Sequence, residues 1–591
     1  MNNASLELGG TNWAEKDASL LGYTVSDDSG RFFPQEFTFA RGSNLAATRI
    51  GKTGLIEKGR ENLLVQSNNF DTTWSTANAS VTSGQSGYDG TNDAWLLEAT
   101  SSSSRIVQNN TTSGAQTFSC YAKAGTANYL AFYNIVSGLS VRAWFNLSNG
   151  TIENSLHNID AKIESLSNGW YRCSITYNET LSNARIYVAR NAGAFDTISG
   201  DNIYIQDAQL EIGLAASPYI PTTTTTAQAG VLENTPRLNY TTGVANPYLL
   251  LEPSRTNLVT QSEYLESFPT KSSISVISNA AISPDALQNA SKLIPNTSNT
   301  PDHFIRTDIS VVNGSEYVMS FFAKKGEYNY VNTYTSAYST GVIATWDLNA
   351  GVVALGSPNA DIEDYGNGWY RCIWKGTTNT TSLSYRIYVS EFENRNTSFA
   401  GDGVKGAYVY GAQIEQGSYP TSYIPTYSVS ATRAKDVCIK TDATGEINST
   451  EGVLFIEGKV EEEDSFAVST LSISDGTDSN RLSILQYRSS PLIRASMNVG
   501  GVTQFDIQIG AQTRGLYYKI AAVYSENNCS LFINGVKIGN DTSATMPSPN
   551  TFNKIGFVIA ADQYNYQGNV KQVLLYPTAL TDAEVITLTT P

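Results

Sequence analysis

Histidine is nearly missing from this chain: His157 and His303 are the only two among 591 residues. They stand at unrelated positions, so no Ser-His-Asp or Cys-His arrangement stands out and neither histidine reads as catalytic. Cysteine is sparse as well. The five thiols, at 120, 173, 372, 438 and 529, include no short-spaced pair that would ligate zinc or form a redox motif. They read as buried thiols, not as a disulfide framework. No apolar stretch has the length needed to span a bilayer, so membrane insertion is not expected. The opening MNNASLELGGTNWAEK lacks the basic and apolar regions of a signal peptide, which points to synthesis in a cytoplasm. Charge is scarce too, at 16% of residues, and its balance of 38 Lys plus Arg against 54 Asp plus Glu leaves −16. Such a surface repels phosphate backbones, so nucleic acid is not an expected partner.

Hydroxyl, amide and aromatic groups take the place of charge. Aromatics reach 11%, with 34 Tyr, and Ser, Thr, Asn and Gly are abundant, a composition that favours strands and turns over helices. Solubility then rests on neutral groups that also hydrogen-bond sugars. The hydrophobic fraction of 41% supports true cores, and the length calls for several domains.

The chain repeats itself. NLLVQSNNF at 62–70 matches NLVTQSEYL at 257–265, and SCYAKAGTANY at 119–129 matches SFFAKKGEYNY at 320–330. In the same order, IESLSNGWYRC at 163–173 matches IEDYGNGWYRC at 362–372, and IYIQDAQLEIG at 203–213 matches AYVYGAQIEQG at 407–417. A nearly constant offset over this span means two copies of one domain, not a solenoid. Within each copy the apolar residues alternate with period two, as in NYLAFY at 128–133, and Asn-Gly turns separate the runs. The fold class is therefore all-β, with two tandem antiparallel jelly-roll sandwiches. Their spans are 61–221 and 251–427, with 222–250 as a linker. Residues 1–60 read as an N-terminal arm or subdomain, and 428–591 as a third, different sandwich in which CSLFINGVKIG is a hairpin turning at Asn534-Gly535.

Taken together, LLLEPSRTNLVTQSEYLESF, NGWYRC, GAQIEQGSYPTSYIPT and SATRAKDVC resemble modular bacteriophage virion proteins. That family carries jelly rolls similar to carbohydrate-binding modules, followed by a concanavalin-like or laminin-G-like sandwich, which INGVKIG and LLYPTALTDAEV also resemble. The resemblance implies a virion structural protein, tail-fibre or adhesin-like, attached through 1–60 and displayed as a homotrimer among other virion proteins. It implies binding of host-surface carbohydrate without catalysis. A purely structural head-fibre, decoration or connector role is the first alternative, and a polysaccharide depolymerase the second.

Candidate residues follow from chemistry. Trp144 and Trp346, with Tyr133 and Tyr334, recur in both copies and are candidates for stacking on a sugar ring. Trp170 and Trp369, beside Cys173 and Cys372, read as core. The paired acids Glu211 with Glu415 and Glu164 with Glu363 read as structural groups that hydrogen-bond turns. In DGTDSNR, Asp475, Asp478 and Asn480 are the candidate ligands of a hard cation such as calcium, set against a plain hairpin turn. No other cofactor is expected.

Overall fold

The computed structural model describes residues 4–16, 19–26, 31–43, 45–136, 139–156, 158–241, 243–340, 343–356, 358–463, 467–510, 512–559 and 564–591. His157 lies outside them. The fold is all-β: one α-helix, Asp582–Thr589, is present among the described residues, capped by Thr581 and Glu584.

The two repeats have the same topology. In the first module one six-stranded sheet runs in the order 160–165, 170–178, 115–124, 202–212, 94–99, 79–85. In the second the order is 360–364, 369–377, 316–324, 407–416, 290–295, 274–281, strand for strand the same. The facing sheets also match: 151–156, 139–146, 129–136, 181–189, 105–112, 75–77 against 352–355, 343–347, 330–334, 382–390, 304–310, 270–272. Even the irregularities are copied. A bulge follows Ser119 in one copy and Ser320 in the other, and the partner strand crosses it with positive φ at Asp207 (54°) and Gly411 (63°). Between the sheets Phe118, Phe132, Phe145, Cys173 and Ile186 fill the first core, and Phe321, Trp346, Cys372, Trp374 and Ile387 the second.

The motif residues explain their own repetition. Asn62 and Asn257, each fully buried, donate to Ala208 O and Ile220 O, and to Ala412 O and Ile424 O. One amide thereby ties the first strand of a module to its last. Glu211 accepts from Gln209 and the Ser217 N–H, and Glu415 from Gln413 and the Thr421 N–H, so both acids hold turns.

Two segments differ from the sequence reading. Residues 1–60 are no separate arm: Leu6–Gly9 pairs with the last strand, Leu6 opposite Leu575, and Ala40 pairs with Val437. Within 222–250, Leu249 pairs with Val570, so part of the linker is a strand of the same sheet system. Leu6, Leu8, Leu20, Phe37 and Phe39 find cover only in the C-terminal core, where each buried side chain contributes about 1.5–3 kcal/mol. The third sandwich is therefore assembled from both ends of the chain and the inter-repeat crossing.

Candidate functional site

The four aromatic candidates do not form open platforms. Tyr129 lies opposite Asn146 and Tyr330 opposite Asp347, which aligns Trp144 with Thr345 and Trp346 with Phe145. The two tryptophans are thus one residue out of step, and on a strand one step reverses the face. Trp346 points into the core, 0% exposed, and its indole N–H donates to Asp361 O at 2.8 Å. Trp144 points outward yet is 1% exposed, because Phe195 covers it at 5.4 Å between centroids and also packs on Tyr133 and Tyr187. Tyr133 and Tyr334 are equivalent and half-buried, but guanidinium groups of Arg386 and Arg395 lie 5.2 and 4.8 Å from the Tyr334 ring. Trp170 and Trp369 are buried, on the sheet face opposite their neighbouring cysteines: Trp369 packs with Ile56, Phe322, Tyr410 and Tyr423.

The loop 475–481 is a hairpin turn. Asp475 accepts from the Thr477 N–H and hydroxyl and from Asn480, while Asp478 pairs with Arg481 at 2.6 Å. The Asp475 carboxylate is engaged by the loop's own donors and Asn480 Oδ1 accepts from the Gly500 N–H, and no group of three acidic, histidine or cysteine ligands able to hold a metal is found among the described residues. His303 is fully buried, its ring nitrogens facing Ser273 O and Phe399 O, with no nucleophile between them.

One concave site is invisible in residue spacing. A cleft of about 790 Å³ opens where the second module, the hairpin 48–58, the crossing 239–252 and the third sandwich meet. Its origin is a difference between the copies. In the first module the corresponding sheet face is covered by the second, through Asn279 donating to Leu214 O and Asp160, and Lys162 donating to Gln288 O. In the second module the next unit closes that face incompletely, leaving the cleft.

Half-buried Tyr240, Tyr248, Tyr365 and Tyr419 line this space, with Asn239, Asn359 and Asn569. Glu363, Asp361 and Arg371 come from the second module, Lys459 and Glu461 from the third. Glu363 is exposed to solvent within the cleft, yet the enclosing walls raise its carboxyl above its ordinary range; Arg371 and Lys459 pull it down, Asp361 and Glu461 push it up. Burial likewise pushes the Tyr248 hydroxyl, which accepts from Asn239, up to about 12. Tyrosine faces beside amides and carboxylates match the alternating apolar and hydroxylated surfaces of a pyranose, and the volume is within the roughly 300–1,000 Å³ usual for ligand sites. Glu363, set beside its equivalent Glu164 as a turn acid in the sequence reading, lies in this cleft.

A buried ionic cluster holds the cleft's back wall. Arg41 pairs with Asp436 at 3.1 Å, Arg433 with Glu252 at 3.0 Å, and Arg237 bridges Glu252 and Asp436. These residues come from the N-terminal segment, the crossing and the chain after the second module, so one cluster locks three lengths of backbone. The arginines hold the Glu252 carboxyl far below its usual range, against the opposing effect of its burial.

Residues 441–586 match the family model described as the Concanavalin A-like lectin/glucanases superfamily. The match spans about a quarter of the chain and falls on the third sandwich, which supplies one wall of the cleft. Among solved structures, the CBM40 of a Ruminococcus gnavus IT-sialidase bound to alpha2,3 sialyllactose is 16% identical at a TM-score of 0.22. That match covers 25% of this chain and 91% of that one. The tandem CBM22 modules of Paenibacillus barcinonensis Xyn10C are 12% identical at a TM-score of 0.19, covering 64% of this chain and 100% of theirs. A SAP-like pentraxin from Limulus polyphemus is 15% identical at a TM-score of 0.19, over 24% of this chain and 70% of that one. At these scores the likenesses carry no functional weight. A search of curated proteins found no match.

Proposed function

We propose that the protein is a carbohydrate-binding surface component of a bacteriophage particle and that the three-unit cleft is its glycan site. The cleft carries the reading: four tyrosines, three amides and a mixed set of charges converge on a space of oligosaccharide size. The concanavalin-like sandwich that forms one wall supports it. The particle setting rests on the resemblance of the repeated motifs to virion modules. Display as a homotrimer on the virion, beside other virion proteins, would multiply a modest affinity for host-surface glycan by avidity. The test is a glycan array probed with the full chain, followed by calorimetry on any hit. Tyr365→Ala is expected to weaken binding at least tenfold, and Trp144→Phe to leave it unchanged. Binding to no glycan would favour a purely structural particle role.

A second reading, depolymerisation, is favoured by one observation: Glu363 has a raised pKa beside Asp361 and Glu461, as in pairs of carboxylates that divide acid and base work. New reducing ends from host capsule, abolished by Glu363→Gln, would establish it. Binding without new ends supports the lectin reading.

A further inference from the structure

Lys58 crosses from the N-terminal hairpin into the second module, where its ammonium lies 2.6 Å from Glu263 and 2.8 Å from Asp285, with the Tyr427 hydroxyl at 3.2 Å. The second module thus holds a buried cation in a built seat. Beside it opens a second concavity, of about 250 Å³, which shares no lining residue with the cleft. Four lengths of chain enclose it: 45–46 with 58–63, the exit of the first module at 211–215, Leu287 and Asn289 of the second module, and 425–431.

The walls are apolar where those of the cleft are polar. Ile212, Leu214 and Ala215 stand where the second repeat has Gln416, Ser418 and Tyr419. Val429, also in the lining, is 67% exposed and so marks the open side. Such walls accept a methyl or methylene group.

Two polar atoms interrupt this surface, and neither is satisfied. Asn289 is 1% exposed; its amide nitrogen lies 3.3 Å from Asp285 Oδ2 and 3.4 Å from Glu263, while its Oδ1 has no hydrogen-bond partner among the described residues. Arg60 Nη2 lies 3.9 Å from the same Asp285 oxygen, and its buried Nη1 has no partner among them either. The two side chains therefore meet at one carboxylate oxygen, one with a spare acceptor and the other with a spare donor. Buried polar atoms in folded proteins nearly always have partners, so the pocket fits a group that supplies one N–H and one C=O beside an apolar end. Lys58 and Arg60 offset Glu263 and Asp285, and Glu211 is engaged by Gln209 and the Ser217 N–H, so that group is neutral.

We propose that this pocket binds the acetamido group of an N-acetylated hexosamine. The carbonyl accepts from Arg60 Nη1, the N–H donates to Asn289 Oδ1, and the methyl lies against the apolar wall. The acetamido chemistry comes from the pocket alone, whereas its attachment to a sugar rests on the carbohydrate-binding reading above.

The test is calorimetry of the full chain with methyl N-acetyl-β-glucosaminide and with methyl β-glucoside, which has a hydroxyl in place of the acetamido group. The acetamido sugar is expected to bind at least tenfold tighter, because its absence leaves both buried atoms unpaired. Val429→Trp, which blocks the open side from an exposed position, and Arg60→Lys, which keeps the charge beside Asp285 and withdraws Nη1, should each bring the two sugars level. Circular dichroism should not change; if Arg60→Lys lowers the melting temperature, Val429→Trp carries the comparison. Tyr365→Ala, in the cleft, should leave the preference intact, and a preference that persists there stands whether or not the cleft takes a glycan. Equal binding of the two sugars by the unaltered chain, or a preference that survives Val429→Trp, overturns the proposal. So does a preference lost in Tyr365→Ala, which would place acetamido recognition in the cleft. N-acetylalanine methylamide, an acetamido compound without a sugar ring, should bind at least tenfold more weakly than the sugar; equal binding overturns the hexosamine assignment.

Discussion

Replacing Lys58 by methionine removes the cation and keeps the volume of its aliphatic stem. Glu263 and Asp285, whose side chains are 1% and 0% exposed, would be left as two buried carboxylates with no ammonium between them. Breaking a buried pair in this way costs about 3–5 kcal/mol, because the remaining charge keeps its desolvation penalty and loses its partner. In the intact protein, burial opposes the charge on Asp285 but Lys58 and Arg60 hold its pKa down to about 2. The folded value lies below the unfolded one, so the stabilisation is full above about pH 4 and is lost as pH falls toward 2. Without Lys58 that slope should reverse, and the variant should gain stability on mild acidification. Urea denaturation followed by tryptophan emission, together with hydrogen exchange of 283–291, reads both effects. Adding Glu263→Gln and Asp285→Asn to the variant should recover most of the loss. A loss below about 1 kcal/mol, or no recovery in the triple variant, would refute the assignment of a buried cation seat.

Other outcomes follow from the same geometry. The fragment 428–591 lacks the strands that cover Leu575 and Val570, so it is expected to aggregate or stay unfolded, whereas the full chain melts cooperatively; a soluble, folded fragment would contradict the shared sandwich. Asp436→Asn should cost about 3–5 kcal/mol by stranding Arg41 and leaving Arg237 only Glu252 as its carboxylate, measured by chemical denaturation. Asp207, raised to about 6 by burial and by its acidic neighbours, contributes stability that is full below about pH 4 and lost as pH rises to about 6; Asp207→Asn should flatten roughly 2–3 kcal/mol of that slope. Phe195→Ala should bare the Trp144 indole, seen as increased acrylamide quenching with at most about 2 kcal/mol lost.

Much of the fold was legible because the signals are local or repeated. Period-two runs such as NYLAFY became strands, and the paired motifs became matching sheets whose buried Asn62 and Asn257 explain why those letters recur. Cys173 and Cys372 are buried free thiols in equivalent cores, as their shared position implied. The destination of residues 1–60 was not legible, since Leu6 finds its partner 569 positions later and no local pattern encodes that pairing. The Trp144 and Trp346 pairing failed for a different reason: the motif match around them tolerates a one-residue slip, and only strand register reveals it. The cleft escaped because Tyr240, Tyr365, Tyr419 and Glu461 belong to four separate stretches. One signal for it was present, in the replacement of Ser174 and Thr176 of the first copy by Ile373 and Lys375 of the second.

A crystal structure of the full chain soaked with the strongest array ligand tests the central claim most directly. Density for sugar rings against Tyr365 and Tyr419, within hydrogen-bonding distance of Glu363 and Asn569, is the expected result. Density confined to the Tyr133 face, to the 475–481 loop or to the far side of the third sandwich would contradict the cleft as the binding site.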